Sequence, residues 1–243
     1  MRILLTNDDG INGEGLAMLA VWISRRGFGE MVIAAPANEQ SASSMSINFH
    51  RPFRIEKSTM FSDIAAETYV VDSTPADCVR FGLDRLGHFD LVFSGINKGV
   101  NIGQDICYSG TCGAAFEANT SGVKAAAFST EPGAFGTAEP MLDPIWDMIT
   151  EKHMFDFTNM ININIPKDPC GITFVSQGGP YYRDHIVPIA ENVYEAQFYV
   201  PYVKEDHPKV ETDLDAFFRG MCSITPMHID RTDWKAMMNI LGQ

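Results

Sequence analysis

Met1-Arg-Ile-Leu-Leu-Thr-Asn-Asp-Asp-Gly10 opens the chain, an apolar run that ends on two adjacent carboxylates. Residues 3–6 read as a buried parallel strand, and 7–10 as its turn into a helix over 13–25. In an open α/β sheet, ligands bind outside the carboxyl ends of the strands. Side-by-side carboxylates at that place repel each other and lose hydration, so a positive group is needed to compensate them. A hard divalent cation held by one or two carboxylates and a substrate phosphate matches the count. The plainer reading is a polar turn in which one aspartate caps the next helix, and this segment alone leaves both open.

Working outward, residues 31–35 form a second short apolar run stopped by Pro36, and 37–46 form a hydroxyl-rich polar loop. The alternation over 47–57 predicts a strand pair closing near 69–71. Pro75 behind Thr74 starts a helix over 76–86, and 89–94 is the next parallel strand, followed by a loop over 95–103. Ser109-Gly-Thr opens an alanine-rich helix, followed by a strand at 124–129, a helix at 140–152 and a strand at 160–165. Strands alternating with helices predict an α/β fold, a Rossmann-like doubly wound and mostly parallel sheet. From about 172 to 225 the rhythm turns β-rich and aromatic with little helix, and 231–241 closes as a short helix. The expected division is a metal- and phosphate-binding core over 1–170 and, over 171–243, a C-terminal β-hairpin arm and helix packed on the core for oligomerisation.

A chain of 243 residues, 45% apolar and 20% charged, has the composition of a soluble globular protein. No apolar run reaches membrane-spanning length, and Asp8 and Asp9 cut the first one too early for a signal peptide. Five cysteines, at 78, 107, 112, 170 and 222, lack a CxxC pair, which predicts reduced thiols in a cytoplasm. The net charge of −13 works against long nucleic acids, which bind through phosphate contacts to Lys and Arg. An acidic protein that handles phosphate must neutralise it locally, with a metal and backbone N–H groups, which favours small phosphorylated molecules.

Four segments are expected at one edge of the sheet: 7–10, 38–46, 94–103 and 109–111. From them Asp8, Asp9, Ser41 and Asn97 offer carboxylate, hydroxyl and carboxamide oxygens, which Mg²⁺ and Mn²⁺ prefer over the imidazole and thiolate of zinc sites. Ser109, Gly110 and Thr111 at a helix start have the makings of a phosphate cradle, or simply of an N-cap. Such a set suits phosphoester hydrolysis in which one aspartate accepts a proton. The six histidines, at 50, 88, 153, 185, 207 and 228, stand outside any motif. No G-x-S-x-G elbow, P-loop or dinucleotide fingerprint is present.

The ordered motifs resemble the SurE survival protein family. They are Leu-Leu-Thr-Asn-Asp-Asp-Gly-Ile at 4–11, Ala-Pro-Ala-Asn-Glu-Gln-Ser-Ala at 35–42, Thr-Pro-Ala-Asp-Cys-Val at 74–79 and Asp-Leu-Val-Phe-Ser-Gly-Ile-Asn-Lys-Gly at 90–99. Tyr-Ser-Gly-Thr at 108–111, Asn-Ile-Asn-Ile-Pro at 162–166 and Ser-Ile-Thr-Pro at 223–226 complete the set. The resemblance implies a metal-dependent 5′-nucleotidase acting on nucleoside monophosphates, with 3′-monophosphates and short polyphosphate as substrates the sequence does not rank. It implies one Mg²⁺ or Mn²⁺ per subunit on Asp8, Asp9, Ser41 and Asn97, with Asp8, Asp9 and Asn97 catalytic and Ser109, Gly110 and Thr111 on the phosphate. It also implies a homodimer or homotetramer formed through swapped C-terminal elements. Three positions depart from the family pattern: Gln40 replaces a common arginine, Ser73 a glycine and Val100 a proline. A metal-dependent nucleotide-sugar transferase and a non-catalytic nucleotide-binding protein are the competing expectations.

Overall fold

Period-two burial in the first strands sets the layers of the molecule. In a computed structural model, which describes residues 1–242, Ile3 and Leu5 of β1 (Arg2–Thr6) face one hydrophobic cluster and Leu4 the other. Ile33 and Ala35 of β2 (Glu30–Pro36) face the first cluster, and Val32 and Ala34 the second. A strand buried on both faces belongs inside a helix-covered parallel sheet. The first face is covered by α1 (Glu14–Arg26), which brings Leu16, Leu19, Trp22 and Ile23. The second is covered by α2 (Pro75–Arg85) and α3 (Gly110–Thr120), where small residues such as Ala114, Ala115 and Ala118 pack against the sheet.

The remaining strands are β3 (Ile55–Ser58), β4 (Glu67–Val71), β5 (Leu91–Lys98), β6 (Lys124–Thr130), β7 (Met160–Ile165), β8 (Gly171–Phe174), β9 (Arg183–Ala190), β10 (Val193–Tyr199) and β11 (Met221–Met227). Helices α4 (Phe135–Ala138), α5 (Leu142–Glu151), α6 (Asp213–Phe217) and α7 (Trp234–Leu241) complete the elements. Nine strands form one sheet in the order β3-β4-β2-β1-β5-β6-β7-β11-β8. Those from β4 to β7 are mutually parallel, while β3 and β11 run antiparallel to β4 and β7. Counted along the chain, the six parallel strands lie in doubly wound order, and the winding reverses between β1 and β5. A ligand crevice is expected at the carboxyl ends of those two strands.

Several boundaries differ from the sequence expectation for physical reasons. Over 47–57 only Ile55–Ser58 is strand; Pro52 offers no N–H to a ladder, and Asn48 N is claimed by the Asp77 carboxylate at 2.9 Å. β5 runs on to Lys98, with a shift of register against β6 between Ser94 and Asn97, so Asn97 stands on a strand end rather than in a loop. In the C-terminal part, β8 and β11 join the main sheet, while β9 and β10 form the separate antiparallel hairpin. The closing helix begins at Trp234, where Asp233 caps it, three residues after the expected start. The segment expected over 171–243 includes Gln243, which lies outside the described residues.

Candidate functional site

The turn after β1 is built by its own side chains. Asn7, fully buried, donates from Nδ2 to Gly10 O at 2.9 Å, and Gly10 adopts φ +89°, a region open to glycine. Ile11 N donates to Pro36 O at 2.8 Å, which holds this turn beside the loop after β2. Asp8 is thereby set inside the protein with 5% of its surface exposed.

Helix α3 meets Asp8 end-on. Thr111 donates twice to the carboxylate, from Oγ1 to Oδ1 at 2.5 Å and from its backbone N to Oδ2 at 3.1 Å. This approach requires glycine at 110, where a Cβ would lie 2.9 Å from Asp8 Cβ and 2.5 Å from Ser43 Oγ. Asp9 Oδ2 accepts the Lys98 N–H at 3.1 Å, bringing the second carboxylate beside Asn97. Asn97 Nδ2 donates to Gly99 O at 2.7 Å, which turns its carboxamide and leaves Oδ1 without a partner among the described residues. The loop after β2 arrives through Gln40, whose N–H donates to Asp8 O at 2.7 Å.

Electrostatics make this cluster short of positive charge. Among the described residues neither Asp8 nor Asp9 forms an ion pair. Burial pushes the Asp8 carboxyl up to about 6 against the pull of the Thr111 hydrogen bonds, and neighbouring Asp9 adds to the rise. Asp9 is also raised, by burial first, with the Lys98 N–H pulling back and the Glu39 charge pushing up. Ser43 Oγ and Asn7 Oδ1 are buried there without a hydrogen-bond partner among the described residues. A cation is what such oxygens lack, and a donor set of two carboxylates, an amide and a hydroxyl suits a hard ion. Among the described residues no three His, Cys, Asp and Glu side chains converge on a metal-sized position, so an ion at this place would need oxygen ligands from other residue types or from substrate as well.

Three of the expected residues already hold protein partners. The exposed Ser41 hydroxyl donates to Glu39 Oε1 at 2.6 Å, which leaves its oxygen lone pairs free. Ser109 caps α3 by accepting from Cys112 N at 3.0 Å, and the Thr111 N–H and hydroxyl are spent on Asp8. Gly110, first in the helix, keeps an N–H that no helical carbonyl reaches.

Sequence reasoning missed the supports of this edge. Asn101, buried in the loop after β5, donates from N to Asn164 Oδ1 at 2.7 Å and from Nδ2 to Ser129 Oγ at 2.8 Å. Its carbonyl accepts from Asn162 Nδ2 at 2.8 Å and Asn164 Nδ2 at 3.0 Å. Polar residues at alternate positions of the fully buried strand Met160–Ile165 were the available signal. Further along, Asp213 accepts from Gly103 N, Gly178 N and Leu214 N at 2.8–2.9 Å, and its burial pushes its carboxyl up to about 6.

An open, doubly wound α/β sheet with a carboxylate cluster at its switch point defines a class of proteins that bind small anionic ligands at a strand edge. The chain belongs to the SurE family: the profile described as "Survival protein SurE" matches residues 3–184. It is 37% identical to the 5′-nucleotidase SurE of Pelotomaculum thermopropionicum, over 98% of this chain and 93% of that protein. To the 5′-nucleotidase SurE of Geotalea uraniireducens it is 34% identical, covering 98% and 96%. The crystal structure of the SurE protein from Aquifex aeolicus superposes with a TM-score of 0.80 at 30% identity, covering 100% of both chains.

Proposed function

We propose that this chain is a metal-dependent 5′-nucleotidase that hydrolyses nucleoside monophosphates to nucleoside and phosphate. The observation that carries the reading is the buried Asp8 carboxylate beside Asp9 at the carboxyl end of β1, which no ion pair among the described residues neutralises. Membership of a family whose relatives are named 5′-nucleotidases supports hydrolysis over sugar transfer. It equally favours turnover over binding alone. Gln40, which prompted the non-catalytic alternative, serves the site through its backbone N–H, a role independent of its side chain.

Asp8, Asp9, Ser41 Oγ and Asn97 Oδ1 would hold one Mg²⁺ or Mn²⁺ per subunit. The ion, when bound, supplies Lewis-acid polarisation of the phosphoryl group and acidifies water. The free N–H of Gly110 and the hydroxyl of Ser109, at the positive end of α3, orient the phosphate, with Thr111 fixing Asp8 beneath it. Asp9 Oδ1, free because Oδ2 takes the Lys98 N–H, accepts a proton from the attacking water.

The test is phosphate release from AMP, GMP, a 3′-nucleotide and short polyphosphate with Mg²⁺, Mn²⁺ or chelator. Chelator and Asp8→Asn are each expected to cut turnover of AMP by about 10³-fold or more. Undiminished release with either would reject the reading.

No helix among the described residues is long and apolar enough to cross a membrane. The five cysteines all stand unpaired, which suits a reducing cytoplasm. The segment 171–243 serves assembly as a homodimer or homotetramer. In support, β9 and β10 expose Ile186, Ile189 and Tyr194, and α7 exposes Trp234, Ile240 and Leu241.

A further inference from the structure

A second cleft adjoins the phosphate edge. It encloses about 720 Å³, and its wall begins at Ala42, the neighbour of Ser41, and at Tyr108, the neighbour of Ser109. Tyr182 and Phe198 close the far side. These three aromatic rings are 67%, 47% and 69% exposed for Tyr108, Tyr182 and Phe198, a large apolar area to leave open to water around one cavity.

The cleft is fastened to the site rather than merely near it. Ser44 bonds across to the segment before α3, its N–H to Tyr108 O at 2.9 Å and its hydroxyl to Cys107 O at 2.8 Å. The foot of the hairpin is held to the same segment, with Gln104 N donating to Gly179 O at 2.9 Å and Tyr182 N to Asp105 Oδ2 at 2.8 Å. Tyr182 and Phe198 stand nearly perpendicular, ring centres 6.3 Å apart, so one planar guest can lie against a ring face and meet a ring edge. Gln104 contributes an exposed carboxamide, which carries both donors and an acceptor.

We propose that this cleft receives the base of the nucleoside monophosphate, packed against the face of one of the rings of Tyr182 and Phe198 and the edge of the other with Tyr108 at the ribose side, and that the foot of the hairpin thereby sets substrate preference. The inference rests on the nucleotidase reading and adds the element that separates a nucleotide from other phosphate esters. Every base has a π-face, so stacking gives affinity for nucleotides as a class, and the Gln104 carboxamide meets the base edge.

The matched probes are AMP and ribose 5-phosphate, which share sugar and phosphate and differ by the base. In the wild type, kcat/KM is expected to favour AMP. Tyr182→Ala and Phe198→Ala should each lower the AMP to ribose 5-phosphate ratio of kcat/KM by about 5- to 100-fold, mainly through the KM for AMP. Tyr182→Trp, which keeps a stacking surface, should retain most of the ratio. A ratio unchanged in both alanine variants, or a loss shared equally by the two substrates, would overturn the base cleft while leaving the nucleotidase reading intact. A wild type that releases no phosphate from AMP would overturn that reading, and the cleft with it.

Discussion

Asp8 carries more of the account than any other side chain. Its carboxylate is buried among polar groups that stop short of neutralising it, and Thr111 holds both its oxygens. Thr111→Val keeps the shape and removes the hydroxyl donor, leaving Asp8 Oδ1 without its short bond. We expect a loss of roughly 1–3 kcal/mol in unfolding free energy, read from urea midpoints. An unchanged midpoint would show that this bond does not stabilise the fold. The pair Asp8-Asp9 was legible in the sequence because adjacent acids after an apolar strand are chemically conspicuous. Thr111 was legible only as a phosphate ligand, since nothing in a linear sequence says that a helix start 103 residues away points at Asp8. Ser73 donates to Asp77 Oδ2 at 2.5 Å, the carboxylate oxygen that also accepts the Asn48 N–H and ties the segment before β3 to α2.

At the scale of elements, the loop between β5 and α3 determines whether Asn97 and Ser109 reach the same edge. It is strapped by Asn101 to two asparagines of β7 and by Gly103 to Asp213. Asn164→Leu leaves the Asn101 N–H buried without an acceptor, at a cost of roughly 1–3 kcal/mol. We expect faster hydrogen exchange over residues 99–108 and a lower kcat for AMP; exchange as slow as in the wild type would rule out the strap. The parallel strands and their helices were readable from apolar runs and capping signals, as with Thr74 and Pro75 at the start of α2. The irregular stretch before β3 was not, because alternation alone cannot register that Pro52 and a remote carboxylate have taken its hydrogen-bonding groups. The asparagines of β7 stood out as polar residues in an apolar strand, but their partner Asn101 lies more than 60 residues away in sequence, and only the fold aligns them.

The molecule as a whole places the Asp8 and Asp9 carboxylates at the reversal of its sheet and carries an exposed aromatic hairpin over β9 and β10. The apolar surface of β9, β10 and α7 predicts a solution mass, by light scattering, of two or four chains; a monomer at micromolar concentration would contradict assembly through 171–243. The sheet order followed from the strand and helix rhythm of the first 165 residues, whereas the insertion of β11 beside β7 required the fold, since an aromatic β-rich tail reads alike as arm or sheet. The central claim is that each subunit holds one divalent cation between Asp8 and Asp9. Anomalous scattering from a manganese-soaked crystal tests it most directly: one peak per subunit in contact with Asp8 is predicted, and a well-ordered Asp8 with no peak beside it would contradict the account.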